Sequence, residues 1–211
     1  MKIGVIIIIG SFLFMSCSSV KIVDSWKNEE VLFFKPNKLM VLGITPNLTA
    51  RKIFEEELKN EFMKRNINAY VSGEALDTSF TDSQKTEEEI DTLVQKLSQK
   101  GFDAVVISAV KGIDEKRTYD RGYYTVGYSW RRFGRYYYTY QDIFYNPRYY
   151  NEYKIYHVET SIYNINEGEN KSLVWVGSLD IIDPTTITTT VRDYVNAIIA
   201  KLIKDNIITE L

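Results

Sequence analysis

The chain has 211 residues, 45% of them hydrophobic and 26% charged, a composition that suits one globular domain with an ample core. A formal net charge of -2 and a pI near 5.6 leave no general basic excess to drive binding to nucleic acid or to an anionic membrane, so any such partner needs a local patch. The lone cysteine, Cys17, excludes a disulfide framework and a thiolate metal cluster.

Lys2 precedes an uncharged run from Ile3 to Met15 that includes Ile6, Ile7, Ile8 and Ile9. The run is shorter than the roughly 20 apolar residues of a spanning helix. A basic start, a short apolar stretch and the small residue Ser16 describe a cleavable secretory signal over residues 1–16. The segment Phe14, Met15, Ser16 and Cys17 resembles the lipobox of bacterial lipoproteins, with Phe14 and Met15 departing from the usual leucine and small residue. That resemblance implies a diacylglycerol on the Cys17 thiol and a protein tethered to a membrane, because more than one acyl chain makes anchoring effectively permanent. Ser18 stands where an aspartate would resemble an inner-membrane retention signal, so the expected location is the cell outer membrane.

Residues 17–37 are polar with scattered aromatics, among them Trp26, Phe33 and Phe34, and read as a lipidated tether whose rings dock on the domain. A single α/β domain is expected over residues 38–211. Its first strand is the apolar run Lys38 to Thr45 between Pro36 and Pro46. Thr49 is placed to cap a helix in which Phe54, Leu58 and Phe62 recur beside Ile53. Ile67 to Val71 reads as a second strand and Ser72 to Lys85 as a surface loop. Thr86 and Glu89 form a capping-box signature for a helix that buries Ile90, Leu93, Val94 and Leu97 and stops at Gly101. Phe102 to Val110 is a near-continuous apolar strand of the kind covered on both faces.

Ile155 to Ile165 and Leu173 to Ile181 alternate in polarity around a turn at Asn166 to Asn170, a β-hairpin. Tyr156, Val158, Thr160 and Ile162 share one face of the first strand, Leu173, Trp175, Leu179 and Ile181 one face of the second, and these faces can close one side of a core. Asp183 and Pro184 are expected to open a last helix carrying Ile187, Val191, Val195, Ile198, Leu202 and Ile203 at helical spacing. The order βαβα-βββ-α predicts an α/β fold: a mixed sheet whose first three strands are parallel through right-handed crossovers, with helices packed in two or three layers. The stretches Asp24-Ser25-Trp26, Val41-Leu42-Gly43-Ile44, Gly101-Phe102-Asp103-Ala104-Val105 and Leu173-Val174-Trp175 resemble families of uncharacterised small bacterial lipoproteins. The element order is more distantly similar to the α/β domain of curli-secretion and penicillin-binding-protein-activator lipoproteins. These likenesses imply a fold and carry no site residue.

One segment stands out by composition, an insertion over about residues 117–154. Thirteen of the sixteen tyrosines fall between Tyr119 and Tyr156, and six basic residues there face three acids. Tyr124, Val126, Tyr128 and Trp130 alternate with Thr125, Gly127, Ser129 and Arg131; Tyr136, Tyr138 and Tyr140 repeat the pattern, with Phe133-Gly134 able to turn the chain between. This predicts a tyrosine-rich β-hairpin, with Tyr124, Tyr128, Trp130, Arg131, Arg132, Arg135, Tyr136, Tyr138 and Tyr140 as candidate binding residues.

Three uses remain open: the arm packs back on the sheet; it recognises an envelope protein or a glycan, since Tyr and Arg are favoured at interface hot spots; or several copies align hairpins in a closed, self-associated β-structure. Nucleic acid fits the residue types but is not expected as a partner of an exported protein.

No enzyme activity, cofactor or metal is expected. The single histidine, His157, shares a strand face with Glu159, which could orient its ring, but a solvent-facing side chain on the hairpin edge is the more ordinary reading. Asn47, Thr49 and Arg51 occupy a strand-to-helix loop where α/β sheets often bind ligands, although a helix cap already accounts for Thr49. That loop lacks the glycines of a nucleotide site. The acidic stretch Glu74 to Asp91 lacks the ligand spacing of a calcium loop.

Overall fold

The computed structural model describes residues 19–32, 34–76, 80, 83–115, 133–134, 137–138, 154–166 and 172–211. In chain order these form β1 (Val20–Lys27), β2 (Leu39–Ile44), α1 (Leu48–Lys64), β3 (Ala69–Val71), α2 (Ser72–Ala75), α3 (Glu87–Gln99), β4 (Ala104–Glu115), β5 (Lys154–Asn164), β6 (Leu173–Ile182) and α4 (Ile187–Lys204). The strands make one mixed six-stranded sheet in the order β1-β6-β5-β4-β2-β3. β2 lies parallel to both β3 and β4, as the two crossovers require, whereas β4, β5, β6 and β1 are successively antiparallel.

The sheet is covered on both faces, giving three layers. α1 and α4 bury Phe54, Leu58, Phe62, Val195, Ile198 and Leu202 with Val106, Val158, Ile162 and Trp175 on one face. α3 buries Ile90, Leu93 and Leu97 with Val105, Ile107, Tyr163 and Val176 on the other. β2 is buried along its whole length because it serves both layers. On the first face the Tyr194 hydroxyl sits between Ser108 at 2.8 Å and Thr160 at 2.6 Å, and burial pushes its phenol well above the ordinary tyrosine range.

Several boundaries differ from the sequence expectation for physical reasons. The segment read as a tether contributes β1, an edge strand on β6, so the sheet begins within it. Asn47, not Thr49, caps α1: its side-chain oxygen accepts from the Ala50 N–H at 2.9 Å, and Thr49 lies inside the first turn. The stretch expected as a surface loop starts with the helical turn α2, and Leu76 is buried. At α3 the capping box forms as expected, and Gly101 adopts φ 83 beyond the helix end. β4 runs past Val110 to Glu115 through a bulge, between Val110 and Gly112, that holds Lys111. Leu173 faces the α3 layer instead of sharing a face with Trp175, because the β5–β6 register shifts there and leaves Val174 on the same side as Trp175. α4 starts at Ile187, after a turn in which Asp183 takes φ 45. Among the described residues, no helix is long and apolar enough to cross a membrane.

Candidate functional site

On the α3-side face, where β4, β5 and β6 extend past the end of β2, a row of ionisable side chains crosses the sheet. The bulge at Lys111 turns its side chain toward β5, where Nζ meets Glu159 Oε2 at 2.8 Å. The two side chains are 6% and 4% exposed, so this is a buried ion pair. His157 stands one pleat nearer the strand start. Its Nδ1 lies 2.7 Å from Asp180 Oδ1, directly opposite on β6, and its Nε2 lies 3.1 Å from Asp114 Oδ2, within ion-pair range but off the hydrogen-bond direction.

His157 and Glu159 share the face the alternation predicts; the His157 ring is 12% exposed instead of solvent-facing, and it lies against Asp180 and Asp114 while Glu159 pairs with Lys111. Lys111, Asp114 and Asp180 were missed. Asp180 was findable, since the polar alternation of β6 places it opposite His157. Lys111 was not, because the bulge that aims it is a feature of register and not of composition. Among the described residues, no group of three or more His, Cys, Asp or Glu side chains is arranged to hold a metal ion.

The strand-to-helix loop at the end of β2 is occupied by its own side chains. Glu55, itself buried, accepts from the Gly43 N–H at 3.0 Å, Arg51 Nε at 2.9 Å, and the Ser72 N–H and hydroxyl at 3.2 and 2.7 Å. Arg51 Nη2 also donates to Ser72 Oγ at 2.7 Å. This network ties α1 to α2 and satisfies a buried carboxylate, and it uses Arg51 as a brace between elements. A β-carbon at Gly43 would meet Arg51 Cγ and Phe54 Cδ1 at 3.3 Å, so the strand end and helix are in close contact.

Of the aromatic insertion, Phe133, Gly134, Tyr137 and Tyr138 are described, and all four are helical. The expectation that Tyr138 lies on a strand, with Phe133-Gly134 turning the chain of a hairpin, is corrected for these residues. Phe133 and Tyr137 are buried in the α3-side core, their rings 6.3 Å apart, with Phe133 packed at 6.3 Å on Tyr163 and Tyr137 at 5.7 Å on Phe80. A β-carbon at Gly134 would lie 3.0 Å from an Asp91 oxygen, so the segment presses on α3. Apolar area, not a two-residue alternation, decides where these rings go. Tyr138 remains 42% exposed. Tyr124, Tyr128, Trp130, Arg131, Arg132, Arg135, Tyr136, Tyr140 and Cys17 lie outside the described residues.

No family of known sequences matches the chain, and no curated protein does. Among solved structures the chain is similar to the PelC dodecamer from Paraburkholderia phytofirmans, with 10% identity, a TM-score of 0.45, and 90% of this chain and 99% of that chain covered. It is also similar to the lipoprotein GNA1162 from Neisseria meningitidis, with 12% identity, a TM-score of 0.41, and 80% and 99% covered.

Proposed function

We propose that the protein is an outer-membrane lipoprotein, anchored through Cys17, that acts as a non-enzymatic binding or scaffolding module, with its tyrosine- and arginine-rich insertion as the recognising part. The observation that carries this reading is the pairing of Glu115 with Lys154. The insertion leaves β4 and returns on β5 at one point of the sheet, so residues 116–153 are appended to a fold whose strands pair along their own length. Within that segment Phe133 and Tyr137 are buried against the body, and Tyr138 is part exposed. Tyrosine and arginine suit a contact surface because their large side chains need little ordering to bury area and donate hydrogen bonds.

The test is crosslinking in intact cells followed by mass spectrometry of the envelope, comparing the full lipoprotein with variants in which Arg131, Arg132 and Arg135 become Ser or Tyr136, Tyr138 and Tyr140 become Ser. Loss of specific envelope crosslinks in folded variants supports recognition by the insertion. Loss of self-crosslinks alone replaces it with an assembly role, and an unchanged crosslink pattern overturns it. A turnover abolished by His157→Gln would overturn the non-enzymatic reading.

A further inference from the structure

The register of the sheet places one of its ends next to the membrane anchor. β1 runs antiparallel to β6, and its first residue, Val20, pairs with Ile181. Ile181 pairs in turn with Tyr156, and Tyr156 with Ile113, so a row of four apolar residues crosses β1, β6, β5 and β4 at this end. The row lies where these strands have outrun β2, whose last residue, Ile44, is level with Ala109. α4 starts a short turn past the end of β6, with Ile187 as its first residue. Ile113 and Ile187 are each 41% exposed.

Chain length fixes what lies beyond. Ser19 pairs its carbonyl with the Ile182 N–H at 2.8 Å, and Cys17 is two residues earlier in the sequence. Two residues reach at most about 7 Å when fully extended. An acyl chain on Cys17 therefore holds this end of the sheet at the lipid boundary, with no length of chain to let the domain stand away.

We infer that the end of the sheet carrying Val20, Ile181, Tyr156 and Ile113, together with Ile187 at the start of α4, rests on the lipid surface that holds the anchor. The contact is apolar in character. Lys21 and Lys154 share this end with Asp114 and Asp183, so no positive field singles out anionic headgroups, and exposed isoleucines gain by leaving water for the acyl boundary. The insertion, which departs from Glu115, starts and ends at this same membrane-facing edge.

The inference rests on the lipid-anchor reading, and the experiment separates the two. The full lipidated chain carries no other thiol than Cys17, which the lipid occupies, so one cysteine can be introduced and labelled with a bimane fluorophore. The positions are Ile113→Cys and Ile187→Cys at the anchor end, and Met63→Cys and Leu32→Cys as exposed controls at the far end. Each protein is reconstituted in vesicles of phosphatidylethanolamine and phosphatidylglycerol that contain a headgroup nitroxide lipid, and co-flotation is measured with quenching. The expected result is co-flotation of all four, with several-fold stronger quenching at 113 and 187 than at 63 and 32. Co-flotation with equal quenching at all four sites overturns the orientation and leaves the anchor standing. Protein that fails to float overturns both.

Discussion

The indole N–H of Trp175 donates to Asp205 Oδ2 across 2.8 Å, joining β6 to the residue that closes α4. The same carboxylate accepts the Ser25 hydroxyl of β1 at 2.9 Å and the Lys201 ammonium at 2.6 Å, so one side chain fastens the edge strand, its neighbour and the last helix. Trp175→Phe keeps most of the buried ring and removes the donor. The expected cost is about 1.5–3 kcal/mol, the range for one hydrogen bond to a charged group, since Ser25 and Lys201 still serve the carboxylate. A urea midpoint equal to that of the unaltered chain would show that the bond contributes nothing.

The same cluster predicts an acid response. Partial burial of Asp205 raises its carboxyl pKa, but the hydrogen bonds from Lys201, Trp175 and Ser25 outweigh it and hold the group below the usual carboxylate range. A folded-state pKa below the unfolded value means that the unfolded chain binds the proton first. The stabilisation is therefore complete above the unfolded aspartate value of about 3.9 and is lost as pH falls through the lower folded value. Asp205→Asn should be less stable than the unaltered chain at neutral pH, and the gap between their denaturation midpoints should close below about pH 4. A gap that stays constant as the pH is lowered to about 2.5 would refute the assignment.

How much of this was legible in the sequence depends on periodicity. Phe54, Leu58 and Phe62, or Ile198 and Leu202, recur at helical spacing, and the structure buries them where that spacing points. Thr86 and Glu89 announced their helix start because a capping box is a local rule. The features that escaped are those set by pairing partners. Val20–Lys27 mixes charged and apolar residues because an edge strand is half exposed, and alone it looks like a tether. Leu173 and Lys111 sit at register shifts, where one extra residue reverses the face taken by its successors along the strand. Phe133 and Tyr137 belong to a stretch that alternates every two residues in sequence yet are helical and buried, because contact with Phe80 and Tyr163 overrides local pattern.

Gly177 also belongs to the Trp175 arrangement. A β-carbon there would fall 2.3 Å from the far edge of the Trp175 ring, which lies across the glycine two residues along the same strand face. The ring is fully buried and pinned by Asp205, so it cannot move aside freely. Gly177→Ala should destabilise the fold by about 1–3 kcal/mol, as overpacking does, despite the better strand propensity of alanine. Trp175 fluorescence should shift in the folded state as well. An alanine variant as stable as the unaltered chain, with the same emission, would show that the ring repacks without strain.

The buried pair Lys111–Glu159 gives the sharpest test of the polar row. Both side chains are almost fully shielded, so their attraction has to offset the loss of hydration, and removing either one takes a close counter-charge from the other. Lys111→Met is expected to cost about 3–5 kcal/mol, and so is Glu159→Leu. The double variant Lys111→Met with Glu159→Leu should recover most of that loss, because two apolar side chains of similar volume in this position leave no charge to solvate. Denaturation midpoints of the three variants close a double-mutant cycle. A coupling energy below about 0.5 kcal/mol would mean that the two residues act independently. A double variant no more stable than the worse single would mean that the bulge at Lys111 depends on the ammonium itself and not on relief of the buried carboxylate.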